Sequence, residues 1–140
     1  MTETKKLAGI SRVPIRWSDM DAYGHVNNSN YFRYAEQGRV EMMDALGIVI
    51  RPGGIGPVII NAACTFLAPM SYPGTVEVRT YVGPPGRSSF MTFMEMRLEG
   101  DDTLYTEGTA KVVWMDHRTG RSVALPDEIR QWLEGPEFKA

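Results

Sequence analysis

The stretch DMDAYGHVNN, residues 19–28, sets two carboxylates, an imidazole and two amides around a single glycine. A calcium loop would open in the same way, with Asp19, Asp21 and Gly24 in place. Position five is Tyr23 rather than Asp or Asn, however, and position twelve is Asn30 where a bidentate Glu is needed. A transition-metal site built on Asp19, Asp21 and His25 lacks further ligands, because His117 is the only other histidine and no CxxC or HExxH spacing occurs. A plain turn uses the same residue types, with Asp and Asn as caps and Gly24 at positive φ. What weighs against that reading is where the turn leads. The residues after it have the pattern of a long helix, whose N-terminus offers unpaired N–H groups and about half a positive charge. Such an end polarises a carbonyl or holds an oxyanion, and a carboxylate beside it suits acyl chemistry.

The elements that must position these groups follow from periodicity. Val13, Ile15 and Trp17 alternate with Pro14, Arg16 and Ser18, predicting a half-buried strand that runs straight into the motif. On that alternation Asp19 shares a side with Ile15 and Trp17, which favours a turn-capping role over that of a second charge beside Asp21. From about Asn28 the period lengthens, and Tyr31, Tyr34, Ala35, Gly38, Met42, Ala45 and Leu46 share one helical face. Asn27 or Asn28 caps the start and Gly47 the end, giving about five turns. After the loop RPGGIGP, residues 58–67, 75–82, 88–99 and 103–115 read as strands, and residues 126–133 as a final helical turn or two. This order predicts an α+β fold in which one curved antiparallel sheet of five strands wraps around one long central helix. Exposed sheet edges predict pairing between copies, as a homodimer or a tetramer built as a dimer of dimers.

Composition narrows the class of partner. A chain of 140 residues, 43% of them apolar, has the size of one domain, which we place at residues 1–140. The formal charge of −2 arises from 15 basic and 17 acidic residues without a run of one sign, so nucleic acid is not an expected partner. The single cysteine, Cys64, excludes an internal disulfide and reads as a small buried residue rather than a nucleophile. No apolar run reaches the ~20 residues that span a bilayer, and MTETKKLAGI lacks the apolar centre of a signal peptide. A cytoplasmic location away from membranes is the expectation.

The run WSDMDAYGHVNNSNYFRYAEQGR resembles the opening signature of hotdog-fold acyl-CoA thioesterases of the 4-hydroxybenzoyl-CoA thioesterase type. The similarity continues through LAPMSYPGTVEV, GRSSF and EGTAKVVWMDHRTGRSVALP, covering about residues 12–131. The resemblance implies a hotdog fold and hydrolysis of an acyl-CoA, with no metal or other cofactor. Acyl-carrier-protein thioesters, and acyl-CoA binding without catalysis, are its alternatives. The family's catalytic carboxylate maps onto Asp21, which would attack the thioester or activate a water, and its backbone oxyanion donor falls at about Asn28. The active site would form at a subunit interface. His25 would shuttle a proton or orient the loop; without a Ser or Cys partner nearby it supports no triad. Tyr31 and Asn27 read as packing and capping residues that could also line the acyl tunnel. Ser88 and Ser89 would approach the thioester from a neighbouring strand, and Arg87, Arg118 and Arg121 lie on turns where they could meet CoA phosphates. Another hotdog branch carries its catalytic glutamate on the central helix, where Glu36 and Glu41 stand here, but the loop signature points to Asp21.

Overall fold

The computed structural model describes residues 5–136, so both ends of the expected 1–140 domain lie outside the described residues. The strands are β1 (Lys6–Pro14), β2 (Ile55–Phe66), β3 (Thr75–Val82), β4 (Ser89–Leu98), β5 (Thr106–Asp116) and the two-residue β6 (Arg121–Ser122). They form one sheet in the order β1-β3-β4-β5-β2, with β6 on β5, and every pairing is antiparallel. Helix α1 (Asn28–Ala45) crosses one face, and a shorter helix, α2 (Asp127–Glu134), follows β6. No helix among the described residues is long and apolar enough to cross a membrane.

The strand alternation predicted for β3 is observed: Val76, Val78, Thr80 and Val82 are buried, while Glu77, Arg79 and Tyr81 face the other way, half-exposed. On β4 the buried set is Phe90, Thr92, Met94 and Met96. Tyr31, Tyr34, Ala35, Gly38 and Met42 of α1 cover this face, whereas Ala45, placed on the same stripe by periodicity, is exposed. The core has two parts. One gathers Ile15, Val26, Tyr31, Tyr34 and Met70 around the start of α1. The other gathers Met42, Val82, Phe90 and Trp114 at its end, where Ile129 and Leu133 of α2 complete the packing.

Three expectations are corrected. The described sheet has six strands rather than the five expected, the sixth being the two-residue β6. α1 is not the lone helix of the fold, since the helical turns expected at residues 126–133 form α2, whose apolar residues cover the part of the sheet beyond the end of α1. The first strand also ends at Pro14 and does not run into the motif. Residues Trp17–Asp19 form a 3-10 turn that leaves Trp17 73% exposed and buries Asp19 to 3% exposure, so the two do not share a side. The turn forms because the Asp19 carboxylate reaches back to the Arg16 N–H, which an extended chain cannot allow.

α1 lies close enough to β3 that residue 38 has to be glycine. A Cβ there would stand 2.8 Å from Thr80 Oγ1 and 3.1 Å from Val78 Cγ1, both side chains of a buried strand. Gly38→Ala is therefore expected to lower stability to urea by about 1–3 kcal/mol. Adding Thr80→Ala should recover part of that loss, and a loss untouched by the second change would show that close approach is not the cause.

Candidate active site

The segment between the 3-10 turn and α1 is a short hairpin turn. Asp21 N–H donates to His25 O at 2.8 Å, Gly24 N–H to Asp21 O at 3.0 Å, and Met20 bridges Val26. Gly24 closes the turn at φ +75°, in the left-handed region where a Cβ would be strained. Two contacts tie the turn to the β2–β3 connection: Val26 N–H donates to Met70 O at 2.8 Å, and Ser71 Oγ donates to Gly24 O at 2.8 Å. The Asp21 side chain is exposed, with Oδ1 accepting the Tyr23 N–H at 2.9 Å, which leaves its other oxygen open.

The helix starts where the turn ends. Asn27 is the cap, its Oδ1 accepting the Ser29 N–H at 3.0 Å, while Asn30 N–H goes to Asn27 O at 2.9 Å. The Asn28 N–H has no partner among the described residues and is one of the orphan donors of the first turn. Asp21, His25, Asn28 and Tyr31 together line an open pocket of about 260 Å³, completed by Tyr23, Val26 and the Phe66–Pro69 stretch of the β2–β3 connection. Tyr31 forms its inner wall. The ring is 2% exposed, packs edge-on against Phe66 with centroids 5.0 Å apart, and its hydroxyl accepts the Met70 N–H at 3.2 Å. Burial raises the Tyr31 phenol above its ordinary value, the Met70 N–H opposes this, and the nearby Asp21 charge adds to the rise.

The sequence profile of the thioesterase-like superfamily matches residues 15–133, a span holding the whole pocket. The chain belongs to the thioesterase-like superfamily. Its fold matches a solved Pseudomonas aeruginosa protein described as a candidate thioesterase, with TM-score 0.87 and 40% identity over 91% of this chain and 99% of the other. An acyl-acyl carrier protein thioesterase of Arabidopsis thaliana is 32% identical over 85% of this chain, which spans 64% of that relative. A 1,4-dihydroxy-2-naphthoyl-CoA hydrolase of Prochlorococcus marinus is 26% identical over 89% of this chain and 88% of its own length.

Other residues singled out from the sequence of this superfamily member fall away from the pocket. Ser89 opens β4 opposite Val113, seven residues from Met96, whose partner Thr106 adjoins the pocket end of the sheet. At about 3.4 Å per residue that separates Ser89 from the pocket by roughly 24 Å of strand. Arg87 precedes Ser89, its guanidinium donating to Ser122 Oγ at 3.3 Å. One copy of the chain therefore does not bring Arg87 or Ser89 to Asp21. Arg118 is exposed on the β5–β6 turn and Arg121 at the start of β6, and Glu36 and Glu41 are exposed on α1, where Glu41 accepts from Gln37 at 2.8 Å. Cys64 is half-buried on β2 with its thiol pushed up by burial, which disfavours the thiolate. No three His, Cys, Asp or Glu side chains gather among the described residues.

Periodicity marks Phe66, Leu67, Ala68 and Pro69 only as strand and turn, yet they supply one wall of the pocket. Their signal is weak, being an apolar run that ends at a proline. The second omission is the Asp19–Tyr34 pair. Tyr34 hydroxyl donates to Asp19 Oδ2 at 2.8 Å, the Arg16 N–H donates to the same oxygen at 3.0 Å, and the Arg16 guanidinium lies 3.4 Å from Oδ1. The Asp19 carbonyl also accepts the Asn27 N–H at 2.9 Å and Asn30 Nδ2 at 2.8 Å. A buried tyrosine on a helix needs a hydroxyl partner, which was the available signal.

Burial pushes the Asp19 carboxyl up, but the Arg16 N–H, the Tyr34 hydroxyl and the Arg16 charge outweigh it and hold the group below its ordinary 3.8. A carboxylate lowered in the folded state contributes stability that is present above 3.8 and disappears as pH falls through the folded value. Asp19→Asn is thus expected to lose about 1–3 kcal/mol near neutrality, with the gap to wild type closing in acid. Urea titrations from neutral pH into acid check this, and a gap that stays constant would remove the charge from the account.

Proposed function

We propose that this chain is a hotdog-fold thioesterase hydrolysing acyl-CoA to the free acid and CoA. The observation that carries the reading is that an exposed carboxylate and an unpartnered helix N-terminal N–H line the same open pocket. The thioester carbonyl oxygen accepts the Asn28 N–H, whose position at the helix start favours the negative charge that grows there. Asp21 attacks the carbonyl carbon to give a mixed anhydride that water then opens, or takes the proton of a water that attacks instead. On either route the C–S bond breaks and CoA leaves as its thiol. His25, on the pocket rim, orients the loop or carries a proton, and Tyr31 limits the depth open to the acyl group.

Membership of the thioesterase-like superfamily supports hydrolysis of a thioester, and the relative acting on a naphthoyl-CoA supports CoA as the carrier. The Arabidopsis relative, named for acyl-carrier-protein substrates, keeps that carrier as the second reading. We further propose a homodimer or a dimer of dimers with the site at a subunit interface. Among the described residues the outer edge of β2 is unpaired, with Ile60 and Phe66 exposed on the strand, Leu67 exposed just after it, and Phe32 and Val40 exposed on α1. Arg87 and Ser89 can reach a pocket only from a second copy.

Asp21→Asn is expected to leave the thermal midpoint unchanged, because the side chain is exposed, and to lower thiol release from acyl-CoAs at least about a hundredfold. Wild-type turnover in the variant would remove Asp21 from the mechanism. Silence of the wild type on CoA thioesters with activity on carrier-protein thioesters would favour the second reading. Light scattering at several concentrations tests the assembly, and a constant monomer mass would sink the interfacial site.

A further inference from the structure

Phe32 and Arg39 of α1 border the crevice between that helix and Ala62, Ala63 and Cys64 of β2. Glu36 and Met43 fall on the same flank by helical spacing. Together the four residues, spaced four, three and four apart, make one stripe of the kind by which two helices meet. Phe32 and Glu36 are exposed, and Arg39 and Met43 half-buried. Arg39 is the member that a lone chain leaves unsatisfied. Burial pulls its pKa below the ordinary value, and Glu36, one turn earlier, opposes this through its charge. The Arg39 guanidinium nevertheless makes no hydrogen bond and no ion pair among the described residues. A charge drawn out of water is normally met by a partner, and arginine is enriched where that partner belongs to another molecule.

Turned end for end against its own copy, the stripe complements itself. About a centre midway between Gln37 and Gly38, Phe32 meets the partner's Met43 and Glu36 meets the partner's Arg39. Apolar then faces apolar and carboxylate faces guanidinium, and a two-fold axis makes each contact twice. The edge of β2 points to the same axis. Residues 60–66 of that strand are exposed apart from the half-buried Cys64, and their middle residue, Ala63, lies in the crevice beside Arg39. Antiparallel pairing of two such edges about Ala63 sets Ile60 opposite the partner's Phe66. Phe66 is a wall of the Asp21 pocket.

We propose that two copies of the chain join α1 to α1 antiparallel, each Arg39 guanidinium paired with the partner's Glu36 carboxylate. The four charges alternate in sign around the axis, and each half-buried cation gains the acceptor it lacks within its own chain. The partner's Ile60 backs the pocket wall at Phe66, so this register also shapes the site. The inference rests on the dimer proposed above and adds the register and the residues that enforce it.

The test reverses one charge at a time. Arg39→Glu leaves carboxylates facing carboxylates in the homodimer, and Glu36→Arg leaves guanidinium groups facing guanidinium groups. One copy of each variant restores both opposite pairs. Sedimentation over a concentration series gives the mass and the dissociation constant. The expected result is a constant at least about a hundredfold above wild type for each variant alone, and a return of dimer mass in their equimolar mixture. Should Arg39→Glu lose its helical circular dichroism, Arg39→Gln takes its place, with a constant raised at least about tenfold. A wild-type dimer that the variants leave equally tight overturns the inference while leaving the dimer and thioester hydrolysis standing. Variants that are monomeric alone and stay monomeric when mixed also overturn it, because the charges then act within one chain. A monomeric wild type overturns it together with the interfacial site, and thiol release from acyl-CoAs, measured separately, shows whether hydrolysis survives.

Discussion

The site depends on one carboxylate that faces inward. Asp19 is taken almost wholly out of water, and a charge so placed has to be met by donors. Those donors come from the end of β1, through the Arg16 N–H, and from the second turn of α1, through Tyr34. Its backbone carbonyl holds the helix cap from the other side, through Asn27 and Asn30. A single residue thus fastens the strand exit, the hairpin turn and the helix start to one another. The turn carries Asp21 and the helix start carries the Asn28 N–H, so the spacing between carboxylate and donor follows from this fastening.

The two aspartates of the DxD show how burial divides labour between identical side chains. Asp19 accepts two hydrogen bonds inside the protein and is held ionised, while Asp21, two residues on, turns outward with only the Tyr23 N–H on one oxygen. The first can support but cannot reach a substrate. The second can reach one, and owes its rigidity to the first. Around them the core is arranged to leave one end of the molecule open. α2 and the Met42 cluster fill the far end of the sheet, whereas the near end is walled by Tyr31 and Phe66 and opens to solvent at the loop.

The sheet on which this rests is strongly self-consistent on its inner face and unfinished at its edge. Gly38 lets α1 settle onto Val78 and Thr80, giving a close contact between helix and strand. Among the described residues β2, by contrast, is paired only to β5 and leaves apolar side chains uncovered along its length. An edge of that kind is a liability for a lone chain and a resource for an assembly. The pocket lies at the end of the same strand.

Periodicity by itself determined the larger outline of this protein. The alternation in β3, the Tyr31-to-Met42 stripe of α1 and a helix cap at Asn27 or Asn28 are local patterns of side-chain spacing, and each was legible without a structure, which then decided for Asn27. The motif likewise showed that Asp21, His25 and Asn28 lie together, because they are within eight residues of one another. Tertiary structure decided the rest, since it involves residues distant in the chain. The exit of β1 into a 3-10 turn follows from the Asp19 carboxylate finding Arg16 and Tyr34, a choice that strand alternation cannot anticipate. The wall formed by Phe66 to Pro69 exists because β2 ends beside the start of α1, and the helical turns expected at residues 126–133 find their place over the part of the sheet that extends past α1. Local patterns state which face is buried; only the folded chain states against what.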